Sequence, residues 1–156
     1  MRYVLDSSAL IDAWDKWYSP DSHPNFWTKL EDLARASEVT IPDAVLIELK
    51  AHDDELHRWC HARETVLCTA TTDEVQAILR DIANRYPNLR GGGSPSRNFA
   101  DPVVIALAEH FRCAVVTHES ATGNLNGPRI PDVCRDRGVR VMQIHHLVRE
   151  QGWRFT

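Results

Sequence analysis

Tyr3-Val4-Leu5-Asp6-Ser7-Ser8-Ala9-Leu10-Ile11 decides the fold. Arg2 to Leu5 is a short, β-prone apolar run that stops at an acid, and the two serines after it are of the type that caps a helix. From Ala9 to Trp17 the apolar residues Leu10, Ile11 and Trp14 fall along one face, as a helix requires. A strand that ends in a carboxylate and turns at once into a helix is the first half of a β-α-β unit, and the rest of the chain repeats the pattern.

Ser19 to Pro24 is a turn, and a second helix is predicted over about Asn25 to Ser37, with Phe26, Trp27, Leu30, Leu33 and Ala34 as its apolar stripe. Val39-Thr40-Ile41 reads as a strand closed by Pro42, and Asp43 can cap the helix that carries Val45, Leu46, Glu48 and Leu49. Helices are also predicted over Asp54 to Arg63 and over Thr72 to Tyr86, the second started by Thr72 and Asp73. Arg90 to Asn98 (RGGGSPSRN) reads as a flexible connection. Asp101-Pro102 then reads as an N-cap followed by proline at the first helical position. Cys113 to Thr117 (CAVVT) has the composition of a strand buried on both faces. A short helix from Ile130 to about Gly138, a strand over Val139 to Met142 and a helix over Ile144 to Gln151 complete the chain. The alternation predicts one α/β domain over residues 1–156, with a parallel sheet between two helical layers and an active crevice outside the carboxyl ends of the strands.

The bulk properties exclude some classes. A chain of 156 residues, 43% hydrophobic and 26% charged, suits one globular core. No apolar run approaches the ~18 residues of a membrane span, and Asp6 and Asp12 interrupt the stretch where a signal peptide would need its apolar core, so the expected compartment is the cytoplasm. Cys60, Cys68, Cys113 and Cys134 form no CxxC pair and read as reduced thiols. The net charge of −4 argues against wrapping nucleic acid by charge alone. Clustered acids at a metal site would themselves make that count more negative, and bound cations would reverse the field locally.

Four acids belong to this frame. Asp6 follows the first strand, Glu48 lies on the helix after the second, Asp101 opens the helix that feeds the CAVVT strand, and Glu119 lies two residues beyond that strand. Four carboxylates in one cleft repel unless neutralised, and a hard divalent cation such as Mg²⁺ or Mn²⁺ takes oxygen ligands. Each acid alone has a plainer role: Asp6 and Asp101 as N-caps, Glu48 as a solvated helix residue, Glu119 as a loop acid.

The segment from Tyr3 to Ile11 resembles the opening of PIN domains, where a strand ends in Asp followed by Ser or Thr. Ile41-Pro42-Asp43-Ala44-Val45-Leu46-Ile47-Glu48-Leu49 is similar to the segment carrying their second acid, Ala100 to Ala108 to the third, and Val115-Val116-Thr117-His118-Glu119-Ser120 to the fourth. The IPDVC run and the closing strand resemble a subgroup with a Trp-rich first helical region. The resemblance implies a Rossmann-like, three-layer α/β/α fold with about four to five parallel strands. It implies Mg²⁺- or Mn²⁺-dependent cleavage of single-stranded RNA, often by the toxin of a toxin–antitoxin pair (VapC-like), with a cognate antitoxin as partner. By that likeness Asp6, Glu48 and Asp101 hold metal, Glu119 completes the site or positions the attacking water, and the Ser7 and Thr117 hydroxyls orient carboxylates. The chain departs from the commonest pattern in having Glu at 119, and Asp132 is the substitute acid to weigh against it. A PIN-shaped module that binds metal poorly and acts through protein or RNA partners is the alternative.

Other features carry less. His52, His57, Cys60, His61 and Cys68 invite a zinc reading, but no closed four-ligand spacing appears. Gly91 to Gly93 lacks both the Walker ending and the GxGxxG pattern and reads as a hinge before Asp101, flanked by Arg90, Arg97 and Asn98 as candidate phosphate contacts. A phosphoacceptor receiver needs a lysine after a late strand, whereas the lysines here are Lys16, Lys29 and Lys50. Trp14, Trp17, Tyr18, Phe26 and Trp27 read as core, or as a surface for a dimer or antitoxin contact.

Overall fold

The computed structural model describes residues 1–52, 54–89 and 100–155. Strand β1 (Tyr3–Leu5) leads into helix α1 (Ser7–Asp12), which continues as a π-helical turn over Ala13–Trp17. Helix α2 (Pro24–Arg35), strand β2 (Val39–Pro42) and helix α3 (Asp43–His52) follow. Helices α4 (Asp54–His61) and α5 (Glu64–Leu67) precede strand β3 (Cys68–Thr69) and helix α6 (Asp73–Arg85). The chain continues through α7 (Ala100–Phe111), β4 (Ala114–Val116), α8 (Ile130–Arg137), β5 (Val141–Met142) and α9 (Ile144–Glu150).

The five strands are parallel and ordered β3-β2-β1-β4-β5, flanked by helices in the PIN-like three-layer arrangement expected from the sequence. Residues of β1 and β4 are all buried, so their backbone groups must pair within the sheet. The register sets Leu5 opposite Val116, and the ladder runs one bond further, from the Asp6 N–H to the Val116 carbonyl at 2.9 Å. Every residue of α7 from Val103 to Ala108 is buried, which explains its nearly continuous apolar sequence. Arg137 ties the outer helices together, its guanidinium donating to Glu109 on α7 at 2.7 and 2.9 Å and to Asp81 on α6 at 2.8 Å.

Two local expectations are corrected, and two short elements carried no expectation. The first helix is not regular to Trp17. From Ala13 it widens to a π turn, closed by the Tyr18 N–H on the Ala13 carbonyl at 2.7 Å. Helix α7 begins at Ala100, so Asp101 is inside its first turn and is not the N-cap. Finally, α5 and β3 are too short to show a period in sequence; β3 is fixed by pairing with β2 and by the Thr40 and Thr69 hydroxyls, 2.6 Å apart.

The N-terminal aromatic residues are mostly core. Phe26 is stacked on Tyr18 with ring centres 4.5 Å apart and meets Trp27, Trp153 and Phe155 edge-on or tilted. Trp14 packs edge-on against Trp27, whose indole N–H donates to the Tyr18 carbonyl at 2.7 Å. Trp17, by contrast, is 60% exposed. Replacing Phe26 by alanine is therefore expected to cost about 3–5 kcal/mol of folding free energy in urea titration, whereas Trp17→Ala should change it by less than about 0.5 kcal/mol.

Candidate active site

The parallel register places Asp6, the residue after β1, beside Thr117, the residue after β4. The Thr117 hydroxyl donates to Asp6 Oδ2 at 2.9 Å, and the Ser8 hydroxyl donates to the same oxygen at 2.6 Å. Each hydroxyl also accepts a backbone N–H: Ser8 Oγ from His118 at 3.0 Å, Thr117 Oγ1 from Glu119 at 3.1 Å. Two loops from different strands are thus joined through one carboxylate oxygen. Asp6 occupies the N-cap position of α1, yet its side chain makes no cap bond. Capping does not explain it.

Asp6 is 1% exposed, and its second oxygen, Oδ1, has no hydrogen-bond partner. Glu48 shows the same division. Its Oε2 accepts the Ser7 hydroxyl at 2.8 Å, while Oε1 is buried without a partner. Asp101, 4% exposed, faces the same place from α7. Glu119 reaches it from the loop after β4, with Oε2 accepting the Ile130 N–H at 3.2 Å.

These acids stand close enough for their charges to act on one another. Burial raises the pKa of all four, most simply by removing water from the charged form. The negative charge of Asp6 adds to the rise at each of the other three. Glu48 is pushed up to about 7 by burial, with the Ser7 bond opposing and the Asp6 and Glu119 charges adding. Asp101 is held well above the usual carboxylate range by burial and then by Asp6, Glu119 and Glu48, with Arg129 the opposing cation. Arg129 and the Ile130 amide also partly relieve Glu119.

Asp132 has a different environment. Its Oδ1 accepts N–H groups from Thr122 and Gly123 at 3.0 and 2.8 Å. Its Oδ2 accepts the Thr122 amide and hydroxyl and the Arg129 amide, at 2.9, 3.0 and 2.8 Å. Burial raises its pKa, but these donors outweigh it and hold the group at about 2. Asp132 therefore organises the loop between β4 and α8, and its oxygens are already engaged.

The other four acids offer oxygen donors, the chemistry that a hard divalent cation takes. Asp6 Oδ1 and Glu48 Oε1 are buried without a hydrogen-bond partner, and an unpaired buried carboxylate oxygen is costly. Among the described residues no group of three His, Cys, Asp or Glu side chains is arranged as a metal-binding set.

Ser8 and Arg129 were not singled out as site residues in the sequence. Ser8 was legible only as a cap, and Arg129 lies in a loop without periodicity. His118 also escaped notice. Its Nε2 accepts the Ile144 N–H at 3.2 Å, so Nδ1 carries the proton toward Asp12 Oδ2 at 2.9 Å, linking α1, the β4 loop and α9. Arg90, Arg97, Asn98 and Gly91 to Gly93 lie outside the described residues, as does the His52 side chain. The other members of the zinc reading are otherwise engaged: His57 and His61 stack on each other, His61 Nδ1 faces Glu64 at 3.2 Å, and Cys60 is wholly buried.

Five parallel strands flanked by helices, with acids gathered at their carboxyl edge, define a PIN-like α/β/α fold. The chain belongs to the family described as Domain of unknown function (DUF4411), whose model matches residues 3–155. No curated protein matches the sequence. Its fold is similar to that of a chain in the crystal structure of VapBC2 from Rickettsia felis bound to a DNA fragment from their promoter. There the identity is 15%, 92% of this chain and 98% of that chain are covered, and the TM-score is 0.56. A chain in the crystal structure of FitAcB from Neisseria gonorrhoeae aligns at 14% identity over 90% of this chain and 96% of that one, with a TM-score of 0.49.

A raised carboxylate pKa gives stability that is present below the unfolded value and lost as pH rises through the folded one. For Glu48 that window runs from 4.5 to about 7. The melting temperature of the protein in EDTA should therefore fall across this range, and Glu48→Gln should make the profile shallower. An unchanged slope in the variant would show that Glu48 is not the titrating group.

Proposed function

We propose that the protein is a Mg²⁺- or Mn²⁺-dependent endoribonuclease that cleaves single-stranded RNA, acting as the toxin of a type II toxin–antitoxin pair. The observation that carries this reading is the pair of buried carboxylate oxygens, Asp6 Oδ1 and Glu48 Oε1, left without partners inside a group of mutually repelling acids. Asp6, Glu48 and Asp101 would hold the ion. When bound, it would activate a water and screen the charge of the phosphodiester.

The chain's own groups have separable tasks in this reading. Ser7, Ser8 and Thr117 each fix one oxygen of a carboxylate and leave the other directed at the cleft. Glu119, with one oxygen held by the Ile130 amide, has its second oxygen available to orient water or complete the ligand set. The Arg129 charge stands beside Asp101 and Glu119, where it would also attract a phosphate. The antitoxin partner is inferred by analogy with the VapBC2 assembly, whose fold is shared at low identity. No helix among the described residues is long and apolar enough to cross a membrane.

The open spacing of the acids favours one competitor, a PIN-shaped module that acts through RNA or protein partners without catalysis. Purified protein should cleave single-stranded RNA with Mg²⁺ or Mn²⁺ and stop with EDTA. Asp6→Asn and Asp101→Asn should each lose at least about 100-fold in rate. Cleavage retained in both variants would sink this mechanism, and a metal-replete wild type without cleavage would favour the binding module.

The roles of the last two acids separate by a second comparison. Glu119→Gln should weaken Mn²⁺ binding in calorimetry while leaving the fold intact. Asp132→Asn should leave metal affinity near that of the wild type and lower stability above about pH 4, where the wild-type carboxylate is ionised and its amide bonds are formed. That stability is lost in the wild type as pH falls through about 2.

A further inference from the structure

Two clefts meet at the start of α9, and one of them reaches Glu119. One, of about 310 Å³, is lined by Lys16, Trp17, His118, Gln143 and His145. The other, of about 440 Å³, shares Gln143 and His145 and runs to Thr117 and Glu119. The shared residues make them one groove leading from Glu119 to Trp17. Its two halves each fall in the size range of small-ligand sites, ~300–1,000 Å³.

The groove wall is unusual for this chain. Trp14 and Trp27 of the same region pack against each other, yet Trp17 leaves 60% of its surface in solvent. The π turn over Ala13–Trp17 is the element that presents it. Across the groove, the His145 ring is paired with that of His146, centres 4.0 Å apart. Burial, then the charges of His146, Arg149 and His118, lower the pKa of His145, so at neutral pH the ring is uncharged and can stack or hydrogen-bond. The Lys16 ammonium at the rim bonds Asp12 at 3.2 Å and is 64% exposed.

We propose that this groove is a base-binding subsite: it seats an unpaired base of a single-stranded RNA next to the scissile phosphate, with Trp17 and His145 as its stacking faces. The proposal rests on the ribonuclease reading for its location beside Glu119. Unpaired bases stack on aromatic and histidine rings, whereas paired bases keep their faces inside the duplex. A groove walled by flat rings and amide or imidazole edges, with the Lys16–Asp12 pair at the rim, matches a nucleotide better than an apolar protein segment. The subsite also supplies what four acids lack, a means of preferring one base next to the cleavage position.

Two measurements test it. In the cleavage assay, Trp17→Ala and His145→Ala should each raise KM about tenfold, with kcat held within about twofold and the preference for the base at one flanking position relaxed; Trp17→Phe should retain most of the wild-type KM. In EDTA, a 2′-O-methyl hexanucleotide should change tryptophan fluorescence in the wild type. Its counterpart abasic at every position should not, and Trp17→Phe should abolish the difference. Wild-type cleavage with unaltered KM and base preference in both alanine variants overturns the subsite and leaves the ribonuclease standing. If the wild type does not cleave, the ribonuclease reading fails. The fluorescence difference then decides the subsite alone: its presence supports base binding, and equal responses to the two oligonucleotides overturn it.

Discussion

The parallel pairing of β1 between β2 and β4 is the constraint on which the rest depends. Tyr3, Val4 and Leu5 are buried on both faces, so their N–H and C=O groups have no recourse to water and must be satisfied by neighbouring strands. Parallel pairing aligns the carboxyl ends of the strands and therefore the residues that follow them. Asp6 and Thr117 are neighbours because Leu5 and Val116 are. A slip of one residue in that register would send the apolar side chains of β1 to the wrong faces and break the hydroxyl bridge at the same time. Core and site are set by one alignment.

The fold then places negative charge where its own interior least tolerates it. Asp6 and Asp101 are nearly inaccessible, and the Asp6 charge raises the pKa of three neighbours. A protein concerned with stability alone would replace such groups by apolar residues at little loss, or with a gain. Other buried charges here are treated differently. Arg137 is enclosed by two carboxylates, and Asp132 is surrounded by amide donors. The contrast is informative: among the described residues, charge is satisfied fully where it is structural, and buried carboxylate oxygens are left unsatisfied at Asp6 and Glu48.

How much of this was legible depended on the kind of signal. Strands β1, β2 and β4, their parallel arrangement and the positions of the acids at the carboxyl edge follow from apolar runs ending at Asp6, Pro42 and Thr117. Helix α6 was legible to within a residue because Thr72 supplies a real cap, accepting the Val75 N–H at 3.4 Å. Asp101-Pro102 misled because its N-cap pattern is local, whereas Ala100 before it is already helical and buried. The two-residue strand β3 has no local signature; long-range pairing with Ile41 and Pro42 makes it a strand. Ser8 and His118 escaped because their roles are partners 109 and 106 residues away, Thr117 and Asp12, which no spacing rule connects.

The glutamate at 119 follows from the same geometry. The extra methylene lets the carboxylate extend to the Ile130 N–H at the start of α8, where the helix presents its positive end. That end is itself fixed by Asp132, which gathers the amides of Thr122, Gly123 and Arg129. Glu119 and Asp132 are therefore not alternatives for one position. Asp132 builds the platform from which α8 holds one oxygen of Glu119, and the other oxygen is left to the cleft. Lengthening the acid and anchoring the loop are two halves of one arrangement, in which the fourth carboxylate is positioned by a helix rather than by a strand.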